Sequence, residues 1–162
     1  RNIVKVGDPI LAKTSRKVEK FDDRLAQLLD DMRETMYQAN GVGLAAVQVG
    51  ILRRAIVIDC GDGYIELVNP EIISSEGEQF EEEGCLSLPG QVGVTCRPMT
   101  VRVKAQDRNG KWCIYKGEAL KARCFCHEIE HLDGHLFIEH TDRLMTEEEL
   151  QEFIRQQEES ED

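Results

Sequence analysis

An α+β fold with one core is what this sequence predicts, on three observations. The 162 residues suffice for one substantial core. Helix-period and strand-type segments both occur, but not in the strict alternation that builds a doubly wound parallel sheet. The strand-type runs are short and closed by turn residues, Gly61-Asp62-Gly63 and Asp107–Gly110. The expected architecture is a single domain of short antiparallel or mixed strands. They surround a central helix carrying His127-Glu128-Ile129-Glu130-His131, with an N-terminal helix before it and an acidic C-terminal helix after it.

Taken in order, residues 3–15 read as irregular or extended, with a turn at Gly7-Asp8-Pro9. From Asp22 to Gln38, Leu25, Leu28, Leu29, Met32 and Met36 recur at helical spacing, and Asn40-Gly41 stops the helix. Ala55–Cys60 is a strand, turned by the glycines into a second at Tyr64–Val68. Pro70 to Phe80 continues as short strands. Met99–Gln106 alternates, with Val101, Val103 and Ala105 on one side, and Trp112–Tyr115 is its partner. A helix follows from about Glu118 to Leu132, closed by Asp133-Gly134. The last helix spans Thr146–Gln156, with Thr146 as cap and Glu149 three residues on, and the tail beyond it frays.

Composition excludes several roles. Hydrophobic residues make up 41% and aromatics 6%. No apolar run reaches the roughly 18 residues of a membrane span, and no signal segment opens the chain. No membrane partner is expected, and the expected location is the cytoplasm. The chain opens on Arg1 rather than Met, so a trimmed N-terminus is expected. The net charge of −11 argues against direct nucleic-acid binding, which draws on Lys and Arg. The acidic stretches at Glu76–Glu83 and Glu147–Asp162 read as solvated surface. The six cysteines include no Cys-x-x-Cys pair, so reduced thiols are expected rather than a four-cysteine zinc site.

The chemistry concentrates in residues 126–135, CHEIEHLDGH. On a helix, residues four apart differ by about 40° in direction and about 6 Å in height. His127 and His131 can therefore offer two imidazoles to one metal. Glu128 lies about 100° round from His127, beside the metal rather than on it, where a carboxylate can take a proton from water. The apolar flanks Cys124, Phe125, Ile129 and Leu132 favour a buried helix over two surface histidines. A third ligand is needed. His135 and His140 miss the register of the zinc proteases whose third histidine would fall at Phe137, and the tail offers no buried helix to carry a glutamate. The partner is therefore sought upstream. In EEGCLSLPG, residues 82–90, Cys85 can supply a thiolate, Gly84 lets a backbone approach, and the following N–H can meet an oxyanion. A buried structural cysteine is the alternative reading of Cys85. In GVGLAAVQ, residues 41–48, small residues let a ligand lie on the backbone and Gln48 offers an amide. No strand and third glycine make it a dinucleotide fingerprint.

These three stretches, in this order, together with the opening VGDPIL, resemble the peptide deformylase family over about residues 3 to 141. The resemblance implies that residues 1–145 form the catalytic domain and 146–162 an acidic helix and tail. It implies that Cys85, His127 and His131 hold one divalent metal ion, Fe2+ favoured with Zn2+, Ni2+ or Co2+ also accommodated, and leave one position for water. It further implies that Glu128 moves protons, and that Gln48 and the Leu86 N–H stabilise the oxyanion. The resemblance also implies that Val42, Gly43 and Gly84 bind the peptide in extended form, and that Arg97 ties Glu83 to Glu130 behind the ligands. The implied reaction removes the formyl group from the N-terminal formyl-methionine of new bacterial polypeptides. A transient ribosome contact is a further implied partner, although the acidic tail does not suit docking through a basic helix. The chain departs from the family pattern at Val47, where a Pro or small residue is usual, and at Glu130, usually Asp. Val92 stands where many members carry a substrate-facing Arg. Arg123 stands where the methionine pocket is often apolar, which implies either a head reaching water or an altered pocket. Two rivals remain: a metalloprotease with a different third ligand, and an inactive metal-binding module.

Overall fold

The computed structural model describes residues 1–161. The first stretch is extended apart from a 3-10 turn at Pro9–Ala12, which the sequence reading passed over. Asp8 caps it by accepting the Ile10 N–H at 3.0 Å, and Pro9 opens it where no donor is needed. Helix α1 (Asp23–Gln38) begins as expected, with the Asp22 carboxylate accepting the Leu25 N–H. Its buried stripe includes the five expected residues. Asn40, not Gly41, adopts the left-handed conformation that ends it, with φ at 56°. The Gly41 N–H then reaches back to the Met36 carbonyl and that of Asn40 to Tyr37.

Among the described residues, seven strands follow: β1 (Gly43–Ala45), β2 (Ala55–Asp59), β3 (Tyr64–Glu76), β4 (Gln79–Cys85), β5 (Leu88–Arg97), β6 (Thr100–Gln106) and β7 (Trp112–Glu118). Their ladders are all antiparallel. Five strands make one sheet in the order β1-β2-β3-β6-β7, and β4 and β5 pair with each other. The expectation of short strands fails at β3. Its 13 residues form one strand because two register shifts let it follow the curve of β6 without breaking. Beyond Phe80 the β4–β5 hairpin was not foreseen as strand. It continues the β3–β6 ladder in the same register, Glu76 opposite Thr100 and then Gln79 opposite Arg97, across a bend at Gly77 with φ at 70°.

Helix α2 (Leu120–Leu132) packs on one face of the large sheet and α1 on the other. Strand β2 shows the division: Ile56 and Ile58 enter the core under α2, while Ala55 and Val57 enter the core under α1. α2 starts two residues later than expected, because Glu118 still pairs with Thr100. Ala119 makes the turn with φ at 53°. Its N–H bonds the Met99 carbonyl, and its own carbonyl accepts Gln79 Nε2. Arg54 closes the other end of α2 on the Leu132 carbonyl and Asp133.

Helix α3 (Glu147–Glu161) runs past the expected end at Gln156. Thr146 caps it through the Glu149 N–H, as expected. Leu150 is its one buried residue and packs with Val92 and Met145. Val92 and Met145 also exchange two backbone hydrogen bonds, at 2.7 and 2.8 Å. Among the described residues, no helix is long and apolar enough to cross a membrane.

Candidate metal centre

A ligand atom of Cys85, of His127 and of His131 all lie within 4.8 Å of one another. Two come from α2, one turn apart. The third comes from the last residue of β4, where the hairpin turns back toward β5. Cys85 Sγ lies 3.3 Å from His131 Nε2, and the two imidazoles meet edge to face with centroids 4.9 Å apart. His131 Nδ1 is buried with no protein partner. A thiolate and two imidazoles suit a borderline divalent ion.

His127 is oriented from behind. Its Nδ1 lies 2.7 Å from Glu83 Oε2, which leaves Nε2 for the centre. Glu83 is 4% exposed. It also accepts two bonds from Arg97, at 3.0 and 2.7 Å, one from Thr95 Oγ1 and one from Arg123. Burial alone would raise its carboxyl, but the His127 and Arg97 hydrogen bonds outweigh it and hold Glu83 well below the usual carboxylate range. Arg97 also reaches Glu130, whose second oxygen contacts His140 Nε2 at 2.9 Å. The longer Glu130 therefore keeps the pairing and extends it.

Arg123 corrects one of the two expectations made for it: its guanidinium does not reach water, although the residue lies along the cleft. It is 4% exposed and turns into the same cluster, donating to Thr95 Oγ1, the Glu81 carbonyl, Glu83 and Gln79 Oε1. Thr95 and Gln79 went unnoticed as sequence candidates. No sequence signal marks them, because their bonds to Arg123 span 28 and 44 residues.

Glu128 is 5% exposed, and its Oε1 has no protein partner. Burial raises its carboxyl to about 7. Gly43 in β1 makes room for it, since a Cβ there would lie 2.5 Å from Glu128 Oε2. His127 would be pushed down by burial, but the Glu128 charge and contacts to Cys85 and Glu83 lift it well above its usual value. The same anionic surroundings favour any cation at its Nε2. Burial, helped by His127, lowers His131 to about 3 and keeps it a neutral donor.

Gln48 sits in a 3-10 turn at Ala46–Val49. Its Oε1 accepts the Ala45 N–H at 2.9 Å, which fixes the amide orientation. Nε2 then points to Ser87 Oγ at 3.1 Å and toward Cys85 Sγ at 3.5 Å. Leu86 follows Cys85 in the turn. Its carbonyl accepts Lys5, and its side chain fills the space that Gly41 leaves. These groups line a cleft of about 570 Å³ that also touches Val42, Gly43, Gly84, Val92 and Leu120. Val42 is 42% exposed, and its carbonyl accepts the Asp59 N–H. Gly43 lies in β1, an edge of the large sheet. Val47 is fully buried in the core under α2 and takes no part in the cleft.

A Cys-His-His donor set beside a buried, unpartnered carboxylate, at the foot of a cleft with a strand edge along it, defines a metal-dependent hydrolase of amide bonds. The family model described as polypeptide deformylase matches residues 1–147. A peptide deformylase of Caldicellulosiruptor bescii is 57% identical over 152 residues, covering 94% of this chain and 92% of the relative. One of Acetivibrio thermocellus is 54% identical over 145 residues, covering 90% and 85%. Among solved structures, a Legionella pneumophila peptide deformylase superposes with a TM-score of 0.85 at 47% identity, covering 88% of this chain and 86% of that one. The Synechococcus elongatus enzyme in complex with actinonin gives 0.85 at 38% identity, covering 88% and 79%. The chain belongs to the polypeptide deformylase family. It is a metal-dependent hydrolase that removes the formyl group from the N-terminus of newly made polypeptides.

Proposed function

We propose that Cys85, His127 and His131 hold the metal and that Glu128 moves the protons of deformylation. The observation that carries this is the convergence of the three ligand atoms within 4.8 Å beside a carboxylate whose Oε1 has no protein partner. A divalent ion held there supplies positive charge that makes water a stronger acid and stabilises negative oxygen. Glu128 accepts the proton of the attacking water and returns it to the leaving amine. A carboxyl raised to about 7 is suited to both tasks. Gln48 Nε2 and the Leu86 N–H donate to the oxygen that becomes negative, each contributing on the order of 3 kcal/mol to the barrier. The Gln48 amide can do so without reorganising, since Ala45 holds its far end. Formate leaves and a free amine remains.

The peptide lies along β1 as an added strand, bonding the backbone of Val42, Gly43 and Gly84. Its first side chain enters the cleft past Leu120 and Cys124. Arg97, Glu83 and Glu130 hold the ligand loop to the ligand helix. Iron(II) is the proposed ion, with zinc, nickel and cobalt able to replace it, because thiolate and imidazole accept all four. The proposed substrates are formyl-methionyl chains in a bacterial cytoplasm, met during a transient ribosome contact. Residues 146–162 form an acidic appendage to the catalytic domain.

The test is formate release from a formyl-Met tripeptide, measured beside cleavage of its unformylated form. Release without internal cleavage, abolished by a chelator and restored by Fe2+ or Ni2+, is expected. Internal cleavage would instead favour a protease.

A further inference from the structure

Cys60 and Cys124 lie outside the ligand set but not outside its reach. Cys60 follows the end of β2 and is half-buried, while Cys124 is buried in α2 three residues before His127. Their sulfurs are 3.4 Å apart although 64 residues separate them in sequence. Cys124 also forms part of the cleft wall. A disulfide needs sulfurs about 2.05 Å apart, so closing this pair takes a movement of about 1.3 Å. Cys60 sits beside the turn Gly61-Asp62-Gly63, outside the regular pairing of β2 with β3. The hydrogen bond shared with Cys124 lowers the Cys60 thiol despite its burial, whereas that bond and burial raise Cys124. Cys60 is accordingly the attacking group and Cys124 the resolving one.

We propose that Cys60 and Cys124 form a covalent modification site, which a low-molecular-weight disulfide such as oxidised glutathione closes into an intramolecular disulfide that draws Cys124 out of the cleft wall. The Cys60 thiolate attacks one glutathione sulfur, forming a mixed disulfide and releasing one glutathione thiolate. Cys124 then attacks the Cys60 sulfur, its proton passes to the second leaving thiolate, and the ring closes. Two protein thiols are oxidised and one glutathione disulfide is reduced to two thiols. The disulfide ties α2 to the end of β2 one turn from His127 and reshapes the pocket for the first side chain. This last effect rests on the proposed reading of the cleft, but formation of the bond does not.

Zinc-loaded full-length protein is incubated with oxidised glutathione, alkylated, and digested with trypsin and a glutamate-specific protease under non-reducing conditions. The expected product is a Cys60–Cys124 linked peptide, with fragmentation separating Cys124 from Cys126. The KM for a formyl-Met peptide should rise several-fold and return after dithiothreitol, and Cys60→Ser should keep both normal activity and an unchanged KM after the same treatment. Cys60 stopping at the mixed disulfide, both thiols remaining open to alkylation, or an equal KM rise in Cys60→Ser would each overturn the proposal. Absence of formate release from the reduced protein would instead strike the functional reading and leave the linkage result standing.

Discussion

Helix α2 and the β4–β5 ribbon meet at the same centre but reach it by opposite routes. On α2, His127, Glu128 and His131 fall within five residues, and the helix itself sets their mutual geometry. On the ribbon, Glu83, Cys85 and Arg97 depend on cross-strand pairing, in which Glu83 faces Gly93 and Arg97 faces Gln79. The helix therefore supplies the proposed reactive groups in a built-in arrangement, whereas the ribbon supplies one proposed ligand and most of the charge that orients the others. The Glu83 carboxylate is where the two are joined.

The largest expected effect lies on the helix. Glu128→Ala should lower kcat by roughly 10²- to 10⁴-fold, the usual span for a positioned acid–base group, while metal content per chain stays the same. Formate release together with metal analysis checks this, and a parallel loss of metal would make Glu128 a ligand. On the ribbon, Arg97→Ala leaves Glu83 and Glu130 short of a partner. A cost of about 3 kcal/mol in stability is expected, with metal affinity weakened ~10- to 100-fold. Thermal melts and competition with a chromogenic chelator measure the two together. Arg97→Lys should recover only part, because one ammonium cannot reproduce the bidentate contact. An unchanged melting temperature and metal affinity would break the comparison, since the ribbon would then be a passive support.

Arg123→Met sharpens it, because Arg123 belongs to the helix yet serves the ribbon. The cost should be about 1–3 kcal/mol from unpaired acceptors at Thr95, Gln79 and Glu81. Metal affinity should change less than in Arg97→Ala, since Arg97 still grips Glu83 through two bonds. The smallest effect concerns α3, where it meets the ribbon. A hydrogen bond with Glu147, added to by burial, raises Glu82 to about 7. An acid whose pKa is raised on folding binds more protons folded than unfolded. Its contribution therefore turns destabilising as pH rises from about 4.3 to about 7 and is constant above. Amide exchange at the start of α3 should quicken across that window, and Glu82→Gln should flatten the response.

Much of the helix side was legible. α1 and its stop, the paired strands β2 with β3 and β6 with β7, and the stripe of α2 all follow from periodicity and turn residues. The ribbon was not. In β4 the run Glu81-Glu82-Glu83 hides the alternation, because the inward Glu83 is acidic too and is tolerated there only through two arginines and His127. β1 is three residues long, too short for any pattern. The 3-10 turns at Pro9–Ala12, Ala46–Val49 and Phe137–His140 are only four residues long, too short for a periodic signal, although side chains of Asp8, Gln48 and Glu139 hold them locally. The same holds for the site. His127, Glu128 and His131 could be placed relative to one another from spacing, but Cys85 could be joined to them only through resemblance. Arg123 could not be assigned to Glu83, because that pairing crosses 40 residues.

The separation of Cys85 from His131 by 46 residues has a consequence in time. Two imidazoles come together as soon as α2 coils, on the submicrosecond scale of helix formation. The thiolate arrives only after a long-range ribbon has paired and docked, a slower event because distant contacts bear the loop-closure cost first. The expected order therefore has two proposed ligands in place before the third, a weak trap for any ion. Tight capture marks the moment at which ribbon and helix lock, so the rate of ion uptake during refolding becomes a clock for the last step of assembly.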